Sequence, residues 1–131
     1  MCFSFQDLRN TDEEMSFISV QFSIGKSADP ILDPKEAELE HKKQETVLKR
    51  FRTREINLLI GTSFLEEGID LPKCNMVVRF DLPTSYRSYM NSKARARAPE
   101  ALIAHLVPVS QTKEFIHELA VYEHVNQVNI I

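Results

Sequence analysis

Two short stretches hold the residues best suited to chemistry. The first runs Gly61-Thr62-Ser63 and continues through Glu66, Glu67, Gly68 and Asp70. Small hydroxyl residues just past a strand can grip a phosphate with side chain and backbone N–H together. Gly68 lets the chain turn tightly or approach a ligand closely, and Asp70 is a good acceptor for a ribose hydroxyl. The plainer reading is a capped loop, with Thr62 or Ser63 as the cap, the glutamates in the first turn and Gly68 at the end. The second stretch is Ser92-Lys93-Ala94-Arg95-Ala96-Arg97. Arginine is always charged and binds phosphate in a bidentate fork, and an arginine finger acts this way in nucleotide hydrolysis. The plainer reading here is a basic helix end favoured by the dipole. In a continuing helix Arg95 and Arg97 point about 200° apart. They can share one phosphate only if the helix has ended near Lys93. A third stretch, Gly25-Lys26-Ser27, imitates the end of a phosphate-binding loop. The full pattern needs Gly five residues earlier, where Val20 stands, and Pro30 blocks the helix that should follow.

These residues need a scaffold. Met15 to Ile24 partly alternates through Phe17, Ile18, Val20, Phe22 and Ile24, a strand pattern. Gly25 to Pro34 reads as a loop. Pro34 opens a helix reaching to about Arg54, with acids at its start and Lys49, Arg50, Arg52 and Arg54 at its end. Val47, Leu48 and Phe51 form its apolar face, and its first half is expected to be exposed. Ile56–Ile60, Asn75–Phe80 and Leu102–Val107 are short apolar runs that fit strands buried on both faces. Thr84 or Ser85 can cap a helix from Tyr86 to about Lys93. Thr112 to about Gln127 reads as an amphipathic helix with Phe115, Leu119 and Tyr122 on one stripe. The alternation implies an α/β fold with a mainly parallel sheet. Ligands of such sheets bind at the carboxyl ends of the strands, which is where both chemical stretches fall.

Composition bounds the rest. The 131 residues carry 16 Lys and Arg against 19 Asp and Glu, a net charge of −3. That argues against a wholly basic surface, but a local basic patch is enough for nucleic acid. No apolar run approaches the roughly 20 residues of a membrane helix, and Met1 to Asn10 has no signal-peptide pattern. Cys2 and Cys74 make no disulfide scaffold, so a reducing, cytoplasmic setting is expected. His41, His105, His117 and His124 show no metal-ligand spacing, and no metal is expected.

Taken together, Thr62-Ser63, Glu66-Glu67-Gly68, Asp70, Pro72, Cys74-Asn75, Val77-Val78 and Phe80-Asp81 resemble motif V of the superfamily 2 RNA helicases. Pro83-Thr84-Ser85-Tyr86-Arg87-Ser88-Tyr89, followed by Asn91 to Pro99, resembles motif VI of the Dicer branch. His41-Lys42-Lys43-Gln44-Glu45 with Val47-Leu48 and Arg50-Phe51 fits the helix before motif V. Thr112 to Tyr122 is similar to the segment after motif VI in insect Dicers. The resemblance covers about Val20 to Val125.

It implies a RecA-like three-layer α/β lobe, incomplete, over residues 16–110. A polar leader (1–15) precedes it and an amphipathic helix (111–131) leads out. Thr62, Ser63 and Lys93 would contact double-stranded RNA. Gly68, Asp70, Arg95 and Arg97 would contact ATP, its Mg²⁺ held by a first RecA-like lobe outside this sequence. The expected parent is a Dicer-like endoribonuclease of microRNA or siRNA processing, and the chain is expected to be a fragment of it, inactive alone. The family pattern has Gln at Asn91 and Gly at Ala94. Those departures motivate an alternative: a scaffold that uses no ATP, discriminating RNA shape or docking a double-stranded-RNA-binding partner protein. An innate RNA sensor of the same branch is a third reading, which the Tyr86–Pro99 segment fits less well.

Overall fold

The computed structural model describes residues 13–23, 33–66 and 68–128. The polar leader up to residue 12, the Gly25-Lys26-Ser27 stretch and Glu67 lie outside the described residues. The chain divides into two compact units, Met1–Pro72 and Lys73–Ile131.

In the first unit, strand β1 (Val20–Ser23) pairs in parallel with β2 (Leu58–Gly61), Val20 opposite Leu58 and Ser23 opposite Gly61. Between them runs helix α1 (Pro34–Arg52). Asp33 caps it, its carboxylate accepting from the Lys35 N–H at 3.4 Å, and Pro34 fills the first helical position, where no N–H is needed. The helix stops because Arg54 enters the left-handed region (φ 62°), and Glu55 N–H turns back to the Arg50 carbonyl at 3.0 Å. Leu48 is the buried residue of α1, beside half-buried Val47 and Phe51, while its first half is exposed, as its pattern predicts. Ile56, 2% exposed, is the most deeply buried side chain among the described residues. Asn57 fixes the register: its amide oxygen accepts from the Ser19 N–H at 2.7 Å, and its amide nitrogen donates to the Phe17 carbonyl at 2.8 Å.

In the second unit, β3 (Met76–Arg79) pairs in parallel with β4 (Leu102–His105). Helix α2 (Tyr86–Lys93) starts at Ser85, whose hydroxyl accepts from the Ser88 N–H at 3.2 Å, and Ser85 rather than Thr84 is therefore the cap. Helix α3 (Thr112–Val128) buries Phe115, with Leu119 and Tyr122 half-buried on the same stripe. Tyr89 stacks on His105 with centroids 6.1 Å apart, and Phe115 meets His105 at a tilt with centroids 5.1 Å apart.

The expected parallel pairing is present, as two two-stranded sheets among the described residues. One expectation needs correcting: β3 and β4 are not buried on both faces. Met76, Val78 and Leu102 are 53%, 44% and 65% exposed, whereas Val77 and Ile103, on the opposite face, are half-buried. Only that second face, where His105 meets Tyr89 and Phe115, is packed by helices within the unit.

Candidate functional site

The candidate residues fall into two groups, Thr62, Ser63, Gly68 and Asp70 in the first unit and Lys93, Arg95 and Arg97 in the second. The first group sits on the loop leaving β2. Gly61 ends that strand under tight constraint: a Cβ there would stand 2.3 Å from Leu65 Cδ1 and 2.8 Å from the Ser23 carbonyl oxygen. Only glycine allows Leu65 to fold back over the strand end. The fold-back is a short 3₁₀ turn, Ser63–Glu66, entered through the Thr62 carbonyl, which accepts from the Leu65 N–H at 3.1 Å. Thr62 is exposed at its start. Gly68 then takes φ +60° with open space around its Cα, so glycine serves conformation here rather than room. Asp70 is exposed, and its backbone carbonyl receives Arg52 Nε at 2.8 Å. That bond ties the loop to the end of α1, and buried Leu71 anchors the exit of the loop. Sequence reasoning did not identify this contact; the basic position of Arg52 at a helix end gave no sign of its partner.

The second group satisfies the geometric condition set by the spacing. Helix α2 ends at Lys93, and the chain leaves through tight turns, Arg95 N–H to the Ser92 carbonyl and Arg97 N–H to the Arg95 carbonyl, each at 3.0 Å. Cys74 clamps the turn from the first residues of the unit. Its N–H donates to the Arg95 carbonyl at 3.1 Å, and its carbonyl accepts from the Ala98 N–H at 3.2 Å. Both guanidinium groups act on the Cys74 thiol. Burial pushes that thiol above its ordinary value, and Arg95 and then Arg97 oppose the rise. Arg95 is half-buried and Arg97 exposed. Ala94 has φ −65° and ψ −11°, ordinary helical backbone, so alanine in place of the family's glycine costs no strain.

Lys93 stands apart from the arginines. Its Nζ is 2.6 Å from Glu123 Oε1 on α3 and 5.7 Å from the Tyr89 ring centroid. Glu123 also accepts from the Tyr89 hydroxyl. The Lys93 ammonium, and after it the Tyr89 hydroxyl, hold the Glu123 carboxyl below the usual carboxylate range. The Lys93 charge is thus engaged in joining two helices. Arg79 likewise points under α2, donating to the Ser88 carbonyl at 3.4 Å and to the Ser92 hydroxyl. No group of three or more His, Cys, Asp and Glu side chains that could hold a metal occurs among the described residues. No helix among them is long and apolar enough to cross a membrane.

Comparison with known proteins adds independent findings. The family model described as the helicase conserved C-terminal domain matches residues 14–98. The chain is 55% identical over 104 residues to Endoribonuclease Dcr-1 of Drosophila melanogaster, covering 79% of this chain and 5% of that protein. It is 49% identical over 121 residues to Endoribonuclease Dicer of Danio rerio, covering 89% and 6%. It therefore spans only a small part of the curated relatives it matches. Among solved structures, the C-terminal domain of S. cerevisiae Dbp5 bound to Gle1 and IP6 superposes with a TM-score of 0.61 at 21% identity, over 91% of this chain and 63% of that one. The C-terminal domain of the DEAD-box protein Dbp5 gives 0.58 at 22%, over 89% and 63%. These two likenesses establish a shared α/β architecture.

Proposed function

Because the chain belongs to the helicase conserved C-terminal domain family and is similar to Dicer over most of its length, we propose that it serves as the second RecA-like lobe of a Dicer-like endoribonuclease. In that role it contributes to double-stranded RNA backbone binding and to a composite ATP site in microRNA or siRNA processing in the cytoplasm. The observation that carries the nucleotide part is the end of α2 at Lys93, which leaves Arg95 and Arg97 in tight turns where helical spacing no longer sets them on opposite sides. The chain supplies the arginines that stabilise charge developing on a transferring phosphoryl group. Asp70 accepts from a ribose hydroxyl, and the Gly61–Ser63 corner presents hydroxyl and N–H donors to RNA phosphates. The phosphate loop and the carboxylates that hold Mg²⁺ are contributed by the first lobe of the same parent protein.

The test uses the complete parent protein. Arg97→Ala and Arg95→Ala should each lower RNA-stimulated ATP turnover by about a hundredfold or more, and Arg97→Lys, which keeps charge but loses the fork, should recover only part of it. The 131-residue chain alone should turn over no ATP. Turnover by that chain which Arg97→Ala abolishes would overturn the composite-site reading. The scaffold alternative draws on Asn91, one methylene shorter than the family's glutamine; helical Ala94 no longer supports it. If Asn91→Gln leaves ATP turnover of the complete protein unchanged and no nucleotide binds either form, the scaffold reading replaces the nucleotide one.

A further inference from the structure

Strand β1 and helix α1 border an open groove of about 500 Å³, with Gln21, Phe22 and Ser23 on one wall and Lys43, Val47 and Arg50 on the other. The strand wall has an unpaired edge. The Ser19 carbonyl accepts from the Leu58 N–H at 3.1 Å and so points toward β2. Main-chain groups of successive strand residues point to opposite edges. Gln21 and Ser23 therefore direct theirs to β2, and Val20 and Phe22 direct theirs outward. Among the described residues no strand pairs with that outer edge. An unpaired edge is a template for another strand.

Three further features define what would fit. Ser23 is 3% exposed, and its buried Oγ has no hydrogen-bond partner among the described residues. The helical wall is net positive, Lys43 and Arg50 against Glu40. Both cations are exposed: Lys43 Nζ lies 3.1 Å from Glu40, and Arg50 reaches Gln21 at 3.1 Å and Glu55 at 3.3 Å. Ion pairs at such positions exchange readily for a competing carboxylate. Phe22, on the opposite face of the strand from Gln21 and Ser23, is 55% exposed and offers an apolar surface.

We propose that this groove receives an extended peptide segment as an added β-strand. Its main chain pairs with the outward groups of Val20 and Phe22, and its alternate side chains are acidic toward Lys43 and Arg50 and apolar beside Phe22. None of these residues belongs to the RNA or nucleotide assignments above, so failure of this proposal leaves those untouched, and theirs leaves this.

The probe is a short fluorescein-labelled peptide alternating Glu and Val, titrated with the 131-residue chain and followed by anisotropy. Saturable binding is expected, weakened about tenfold or more by Lys43→Glu and by Phe22→Pro. The proline removes the outward N–H, a change edge strands tolerate, together with the aromatic ring. Phe22→Leu should bind within a few-fold of the parent chain. Hydrogen exchange at the Val20 and Phe22 amides should slow when peptide is present. If Phe22→Pro alters the circular dichroism spectrum, Lys43→Glu and the exchange measurement decide. The proposal is overturned if the Glu/Val peptide does not saturate, if a Lys/Val peptide binds as tightly, or if neither amide gains protection. It is also overturned if a double-stranded RNA oligonucleotide, rather than the peptide, is what Lys43→Glu releases.

Discussion

Two glycines of one loop are needed for different reasons, and substitution separates them. Alanine at Gly61 must push Leu65 and the Ser23 carbonyl, both inside contact distance of its Cβ. Overpacking of that kind costs about 1–3 kcal/mol. Alanine at Gly68 meets nothing but must hold φ +60°, a penalty of about 1 kcal/mol. Urea unfolding followed by circular dichroism should therefore rank Gly61→Ala as the more damaging. Leu65→Ala in the Gly61→Ala background should recover part of the loss, because the Ser23 carbonyl remains in the way; no recovery at all would mean Leu65 is not the obstacle. At Cys74 the prediction concerns charge. Arg95 and Arg97 favour the thiolate, so removing either raises the thiol pKa further above its already raised position. In a Cys2→Ser background, Arg95→Ala and Arg97→Ala should shift the pH profile of iodoacetamide alkylation upward. Inorganic triphosphate added to the unsubstituted arginines should shift it the same way. An unmoved profile in both variants would remove the claim that the two guanidiniums act on that thiol.

At the scale of elements, α2 and α3 are held together by Tyr89, Lys93 and Glu123, and this junction has a defined response to pH. The folded Glu123 carboxyl titrates below its ordinary value, chiefly through Lys93 and then Tyr89. Its contribution is thus complete above the unfolded carboxylate range and lost as pH falls through the lower, folded value, below about 4.5. His105, packed between Tyr89 and Phe115, is depressed by burial and then by Arg79. Its contribution is present above 6.5 and fades as pH falls through its lower folded value. Melting temperature should decline in two acid segments. His105→Phe should flatten the one nearer neutrality, and Glu123→Gln the more acidic one. Glu123 is 40% exposed on its side chain, so screening keeps the second segment small. A profile identical to the parent in both variants would rule out these groups. Local signals made much of this architecture legible. Pro34 and Ser85 started helices where their types predict, and α2 ended at Lys93, where the sequence pattern puts its end. The start of the first strand was read too generously: Met15 gives way to Val20, because register there is set by Asn57 from 38 residues away. The role of Lys93 was equally hidden. Its partner lies on a helix 30 residues later, and no pattern around Lys93 specifies that docking.

At the scale of the whole molecule, the question is how much apolar surface the chain keeps from water. Among the described residues, Leu48, Ile56, Leu71, Tyr89 and Phe115 form the buried apolar set. Against them stand Met76, Val78 and Phe80 along β3 and its end, and Leu102 and Leu106 along and just past β4, between 44% and 74% exposed. A two-stranded sheet is marginal by itself, and a contiguous apolar patch on a small soluble chain favours association. Side chains this exposed lose little packing when replaced, while the aromatic residues beneath the opposite face lose a great deal. Val78→Thr with Phe80→Ser should therefore raise the concentration at which light scattering appears, leaving the melting temperature within about 2 °C of the parent, the shift of a few tenths of a kcal/mol. Phe115→Ala should act in the opposite sense, costing about 3–5 kcal/mol and unfolding the second unit. The three tyrosines, Tyr86, Tyr89 and Tyr122, all lie in that unit, so tyrosine fluorescence reports its unfolding specifically. If the double polar variant instead melts far below the parent, the exposed face is packing against something the chain itself supplies, and the assignment of that sheet face to solvent fails.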